Sequence, residues 1–354
     1  MAYAKKTPKS SAAYQKLRND IKAGTPGSAY IFYGEESYLR QRALEDLQKT
    51  LIPPGAETFN FHKLEGQGLT ADALTETAEA MPMMAERTLL VVTDYDLFKL
   101  NQDVQEKITA FLEDVPSYCC VVFVYDTIAY KPVKTTKAQK ALAKAVEAHV
   151  EAVEFLPAQG NRLTEWIAAH FAALGKSIDG PTAEYLVFVC GGLMTGLAPE
   201  IDKIASYTKG NVVTKKDIDA IADPVLSAEV FRLSDAVVQG KYDRAAAILA
   251  DLLKMQTEPI MIVAALGSQL RRIWTARLAL DSGRGRSWAL DLWGMKPGYV
   301  SNMIFSAAQR TSAEWCANAV KRCQVLDRRF KSQRGADPAG ELKLLLAELG
   351  AGKR

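Results

Sequence analysis

The chain has 354 residues, with 44 basic and 41 acidic side chains and a formal net charge of +3. Apolar residues make up 48% and charged residues 24%, which excludes wholesale disorder, and so small a net charge argues against a nucleic-acid coat spread over the whole chain. Five cysteines without a C-x-x-C, and three histidines, leave no disulfide scaffold or zinc site to argue.

At about 100–200 residues per domain the length points to two or three domains. No apolar run approaches the ~18 residues that span a bilayer; the longest clean one is Ile260 to Leu266. The N-terminus carries lysines with no apolar stretch behind them, unlike a secretory signal. A cytoplasmic, reduced protein without metal or cofactor is expected.

In chain order, Lys5, Lys6 and Lys9 form a short basic arm, and residues 1–27 are expected to be disordered or loosely ordered. Ala29–Tyr33 is an apolar strand stopped by Gly34. Leu39, Ala43, Leu44, Leu47 and Leu51 share one face of a helix from Tyr38 to Leu51, which Pro53-Pro54-Gly55 breaks. Thr58–Lys63 alternates polar and aromatic residues and predicts a strand. Ala71–Ala80 reads as a helix, Thr88–Thr93 as a buried strand, Val104–Leu112 as a helix and Cys119–Tyr125 as another buried strand. A helix at Lys137–Ala148 and a strand at Val150–Phe155 complete the set. Strands this apolar imply burial on both faces, hence a parallel sheet between helical layers.

From Pro157 onward the pattern is all helical. Leu163, Trp166, Ile167, His170, Phe171 and Leu174 follow helical spacing, and Thr214 to Asp217 looks like a capped helix start. Asp223-Pro224 is a plausible boundary, after which longer helices run to Leu349. The expected organisation is an α/β domain over 28–156, a small helical lid over 157–222 and an all-α collar over 223–350.

An α/β unit followed by a small helical unit is the layout of an AAA+ module. Nucleotide binding there needs G-x-x-x-x-G-K-[ST] after the first strand. This chain has Gly34-Glu35-Glu36-Ser37-Tyr38-Leu39-Arg40, with two glutamates where polyphosphate would sit. The third strand ends Thr93-Asp94-Tyr95-Asp96 without an acidic pair, and Gly191-Gly192-Leu193-Met194 offers methionine at about the place of the γ-phosphate arginine. Three separate parts of the ATP machinery are missing.

The chain resembles the delta subunit of bacterial DNA polymerase III, the clamp-opening subunit of the clamp loader. The resemblance covers about residues 28 to 349. It rests on Tyr33-Gly34-Glu35-Glu36-x-Tyr38-Leu39, on Phe59-Asn60-Phe61, and on Ala80-Met81-Pro82-Met83-Met84-Ala85-Glu86-Arg87. Further marks are Trp166-Ile167, Gly191-Gly192, Glu200-Ile201-x-Lys203-Ile204, Val230-Phe231-Arg232-Leu233-x-Asp235-Ala236, and Asp327 to Lys331 as D-x-x-x-K.

The resemblance implies a degenerate AAA+ (RecA-like) domain, a helical lid and a helical collar, with no catalytic site in this chain. It implies a non-catalytic subunit of the DNA polymerase III holoenzyme that opens the sliding clamp (beta) for loading onto primed DNA. The implied partners are the clamp, the loader ATPase subunits, delta prime, and primed DNA reached through the assembled complex; no membrane is implied. Its clamp contact falls on Met83 and Met84, flanked by Met81, Pro82 and Ala85. Family members commonly carry a Leu-Phe or Phe-Phe pair there, so Met-Met is a departure. Methionines capping the core would be the plainer reading, but Pro82 ends the helix and puts the pair on a loop. Arg87 is a weaker contact, positioned to pair with Glu86 or to orient the loop.

Between Leu266 and Arg334 lie 13 basic and 4 acidic residues, against 31 and 37 elsewhere. Arg271, Arg272 and Arg277 fall on one predicted helix, and Lys321, Arg322, Arg328, Arg329 and Lys331 on another. They suit phosphate contact in the collar, or pairing with acidic neighbours on a solvated or inter-subunit face. Trp274, Trp288, Trp293 and Trp315 are expected to pack helices. The rival readings are a divergent AAA+ ATPase and a standalone DNA-binding protein using the basic helices.

Overall fold

The structure is a computed structural model that describes residues 9–158, 160–332 and 337–351. It divides into two compact units, one of Met1–Ala158 with Leu193–Thr195, the other of Gln159–Gly192 with Gly196–Arg354. The helices expected as lid and collar both fall in the second unit.

The first unit runs α1 (Lys9–Ala23), β1 (Ala29–Tyr33), α2 (Ser37–Leu51), α3 (Glu57–Asn60), β2 (Phe61–Glu65) and α4 (Ala71–Glu79). It continues with β3 (Thr88–Thr93), α5 (Gln102–Glu113), β4 (Cys119–Val124), α6 (Lys137–His149) and β5 (Glu151–Glu154). The five strands form one parallel sheet in the order β2-β3-β4-β1-β5. The sequence pattern predicts the parallel sheet between helical layers; the strand order is read from the structure. Strand residues alternate between two cores. Ile31, Leu90, Val92, Val121 and Phe123 pack with α4, α5 and α6. Tyr30, Phe32, Leu89, Val91 and Val122 pack with α1 and α2. That period-two division makes a three-layer domain.

Two expectations fail here. Residues 9–23 are not a loose arm: they form α1, with Leu17 fully buried and the Tyr14 ring edge-on to Phe155 at 5.4 Å. Lys16 pairs with Glu151 of β5 at 2.6 Å. The sheet face over β1 and β5 would otherwise be bare, and α1 covers it. Lys5 and Lys6 lie outside the described residues. Thr58–Lys63 is not a continuous strand either. Ala56 accepts from the Phe59 and Asn60 N–H groups, closing the helical turn α3, and β2 starts only at Phe61, opposite Leu89.

The second unit is all helical apart from a bridge between Ser177 and Val212. It comprises α7 (Asn161–Ala173), α8 (Gly180–Cys190), α9 (Met194–Tyr207, whose first two residues belong to the first unit), α10 (Lys215–Ile221), α11 (Leu226–Val238) and α12 (Tyr242–Lys254). Then come α13 (Pro259–Asp281), α14 (Gly285–Trp293), α15 (Tyr299–Gln309), α16 (Ala313–Ser332) and α17 (Pro338–Ala351). The Asp217 carboxylate accepts the Thr214 N–H at 2.8 Å, the predicted start of α10. The long helix α13 is the axis of the C-terminal core, with Ile262, Leu266, Leu270 and Ile273 buried along it. It crosses α16 closely at Gly267, where a Cβ would lie 3.2 Å from that of Cys323. Among the described residues no single helix is long and apolar enough to cross a membrane.

Candidate functional site

Between α4 and β3 the chain runs through Met81-Pro82-Met83-Met84-Ala85. Met81 is 72% exposed, Met83 56% and Met84 81%. They do not cap the core; Ala85 alone turns back against it. Exposed apolar side chains clustered in one loop mark an interaction surface more than scattered ones do. Met84 has φ 59°, in the left-handed region that non-glycine residues seldom adopt. The loop is tied down by the buried Asn60. Its Oδ1 accepts the Met83 N–H at 2.8 Å, and its Nδ2 donates to the Met83 carbonyl at 2.6 Å. The neighbouring Phe59 is 48% exposed.

Arg87 orients the chain and does not project outward. Its guanidinium donates to the carbonyls of Pro26 at 2.6 Å, Gly27 at 3.0 Å and Cys119 at 3.2 Å, pinning the start of β3 to the segment before β1.

The turn after β1 is occupied by protein groups. Gly34 has φ 117°, and a Cβ there would lie 2.5 Å from the Phe155 carbonyl oxygen. The glycine is needed because the chain after β5 passes so close. The buried Arg40 donates to the Gly34 carbonyl at 2.8 Å and pairs with Asp126. Glu36 is fully buried. Its carboxylate accepts the Met194 N–H at 3.0 Å, the Thr195 N–H at 3.3 Å and the Thr195 hydroxyl at 3.2 Å, all within the first unit. The Thr195 Oγ1 also accepts the Tyr38 N–H at 3.0 Å, in the first turn of α2.

Asp94, at the end of β3, has φ 55°. Its carboxylate accepts the Asp126 N–H at 2.7 Å, the Thr127 N–H at 3.1 Å and the Thr127 hydroxyl at 2.5 Å. Burial opposes its ionisation, but bonds from Thr127 and the backbone N–H groups of residues 126–128 outweigh that and hold its pKa below the ordinary value.

On α13, Arg271 and Arg272 are exposed and Arg277 pairs with Asp281. On α16, Arg322 pairs with Glu348, Arg329 with Glu341 at 3.2 Å, and Lys331 with Asp327 at 2.7 Å. The D-x-x-x-K mark is therefore an i,i+4 ion pair. Among the described residues, Arg271, Arg272, Lys321 and Arg328 have no ion pair and are exposed. The four tryptophans pack against the C-terminal core; the Trp315 indole N–H donates to the Leu349 carbonyl at 3.2 Å.

Family models match both ends of the chain: "DNA polymerase III, delta subunit" over residues 30–152, and "DNA polymerase III delta subunit, C-terminal domain" over residues 227–349. The chain belongs to the DNA polymerase III delta subunit family. DNA polymerase III subunit delta of Bacillus subtilis is 24% identical over 331 residues, covering 93% of this chain and 94% of that protein. A probable DNA polymerase III subunit delta of Aquifex aeolicus is 22% identical, covering 84% of each chain. The solved Bacillus subtilis DNA clamp loader delta protein (YqeN) is 22% identical, with TM-score 0.53 over 96% of this chain and 99% of that one, a likeness of fold.

Several marks of the delta family prove structural in this chain. Lys203 bridges Glu200 at 2.8 Å and Asp223 at 2.6 Å, and Arg232 bonds Glu229 at 2.8 Å and Asp219 at 2.9 Å. Sequence reasoning missed Asn60, taken there as one residue of a strand. The available signal was an asparagine between two phenylalanines, where a buried amide needs a partner. It also missed that Glu36 serves as an acceptor, because Met194 and Thr195 are distant in sequence.

Proposed function

We propose that this chain binds the sliding clamp through Met83 and Met84 and helps to open the ring for loading onto primed DNA, without hydrolysing ATP. The observation that carries this reading is the pair of adjacent methionines, both exposed, on a loop whose backbone is held from inside. Burying the two side chains in an apolar pocket contributes about 1.5–3 kcal/mol each before ordering costs. Methionine adapts to an irregular pocket, which suits the departure from an aromatic pair. Opening follows if the contact favours the sprung interface over the closed one, since a ligand shifts an equilibrium only by its differential affinity. The likeness to the Bacillus subtilis DNA clamp loader delta protein supports the same reading.

The turn after β1 supports the absence of hydrolysis. Phosphate binding there would need free N–H groups and positive charge; instead Thr195 takes the Tyr38 N–H and Glu36 brings a carboxylate. Asp94 is committed to the loop after β4. The second unit would supply a lid (157–222) and a collar (223–350) that joins the loader ATPases and delta prime. Arg271, Arg272, Lys321 and Arg328 would meet primed DNA only in the assembled complex. A cytoplasmic location accords with five buried cysteines, none of them in a disulfide.

The test is binding of this chain to its cognate sliding clamp, beside the Met83→Ala/Met84→Ala variant. The reading expects wild-type binding and loss of most affinity in the variant with its fold intact. Equal binding by both would remove the methionines from the contact, and no binding by either would remove the clamp.

A further inference from the structure

We propose that Asn60 is the positioning residue of the clamp contact: its buried amide fixes the backbone of Met83 so that Met83 and Met84 are presented outward before the partner arrives. This rests on the clamp reading above.

Asn60 is fully buried at the junction of α3 and β2, 23 residues before Met83. All its side-chain bonds go to main chain. Oδ1 accepts the Met83 N–H at 2.8 Å, while Nδ2 donates to the carbonyls of Met83 at 2.6 Å and Ala56 at 2.7 Å. Meeting both the N–H and the C=O of one residue is how a neighbouring strand pairs, and here one side chain does it. The carboxamide carries an acceptor and two donor hydrogens on one short planar group, and an aspartate carboxylate would lose both donated bonds.

A polar amide in an apolar core is costly unless its bonds are made. The Ala56 bond closes α3, but the two Met83 bonds serve only the loop. With the Met83 main chain drawn inward, its side chain stays 56% exposed, and Met84 follows at φ 59° with 81% exposed. The backbone is thus fixed while the methionine side chains remain free to adapt. Fixing a loop in its bound form lowers the ordering cost of association.

The experiment uses the full chain and its cognate sliding clamp, with Asn60→Ala, Met83→Ala/Met84→Ala, and the triple variant. Asn60→Ala is expected to weaken binding about tenfold, the scale of leaving one or two rotamer-rich side chains and their loop to be ordered on binding. The triple variant is expected to bind no more weakly than the double, since Asn60 acts only through the methionines. Simple addition of the two effects would indicate a general structural role and overturn the proposal. So would wild-type affinity in Asn60→Ala while the methionine variant loses its own. If the methionine variant binds like wild type, the methionines are not the clamp contact and this proposal falls with that assignment.

Should Asn60→Ala fail to fold, hydrogen exchange of the Met83 amide in the wild-type chain decides. Slow exchange beneath an exposed side chain is expected, and exchange at the open-chain rate overturns the bracket.

Discussion

The Glu36 carboxylate accepts the Met194 N–H at 3.0 Å. Met194 opens α9, and the first N–H groups of a helix have no partners within it. Such an end attracts anions, and in this chain the anion is a side chain from the turn after β1.

Replacing Glu36 by alanine strands the buried Met194 N–H together with bonds to Thr195. The expected loss is about 1–3 kcal/mol, the cost of leaving buried donors unpaired. Thermal melting checks this, and the same assay tests nucleotide: Mg-ATP is expected to leave the wild-type melting temperature unchanged. An ATP-dependent rise would revive the ATPase alternative.

α1 is expected to be part of the folded unit and not a dispensable arm. Leu17 is fully buried among Tyr30, Phe32 and Phe155. Leu17→Ala should cost about 2–5 kcal/mol, the range for emptying a filled core site. Urea unfolding gives the value, and a chain lacking residues 1–24 should lose at least as much.

Asp94 should make acid stability pH-dependent. Its pKa lies below the ordinary 3.8 in the folded chain, so its contribution is present above the unfolded value and is lost as pH falls through the folded one. Asp94→Asn tolerates the left-handed backbone but sets an amide against the Thr127 donors. The variant should be less stable than wild type at neutral pH, and the gap should narrow at about pH 3, below the usual carboxylate range. Denaturant midpoints at the two pH values test it.

The basic helices should divide into two groups. Arg322 and Arg329 are paired with Glu348 and Glu341 of α17 and are partly exposed, so alanine at either should change stability by less than about 1 kcal/mol. Neither should alter the salt dependence of DNA binding by the assembled loader. Arg271→Ala/Arg272→Ala should reduce that slope. Tight, salt-sensitive DNA binding by the isolated chain would instead favour a standalone DNA-binding protein.

The α/β order, the parallel sheet and the helical second half were legible in sequence because each signal is local. Runs such as Thr88–Thr93 and Cys119–Val124 are apolar throughout, as strands buried on both faces must be. The incomplete phosphate loop was legible because a motif is a spacing. The methionine loop was legible through Pro82, because proline lacks the N–H that a helix interior needs and so disfavours continuing α4. Thr58–Lys63 misled because alternation in a short window cannot tell a strand from one helical turn followed by a strand.

What only the tertiary structure decided are the partners across long separations. Asn60 finds Met83, Glu36 finds Met194, and Arg322 and Arg329 find α17. None of these pairings has a periodic signature, because a hydrogen bond depends on where the fold returns the chain and not on spacing along it. Composition alone showed a basic C-terminal segment; the fold decided that four of its eight candidate cations are paired with carboxylates of the same chain. Sequence therefore determined the family and the architecture, through residue types and their spacing. Tertiary contacts determined which polar groups are spent holding the fold and which side chains are left to meet a partner.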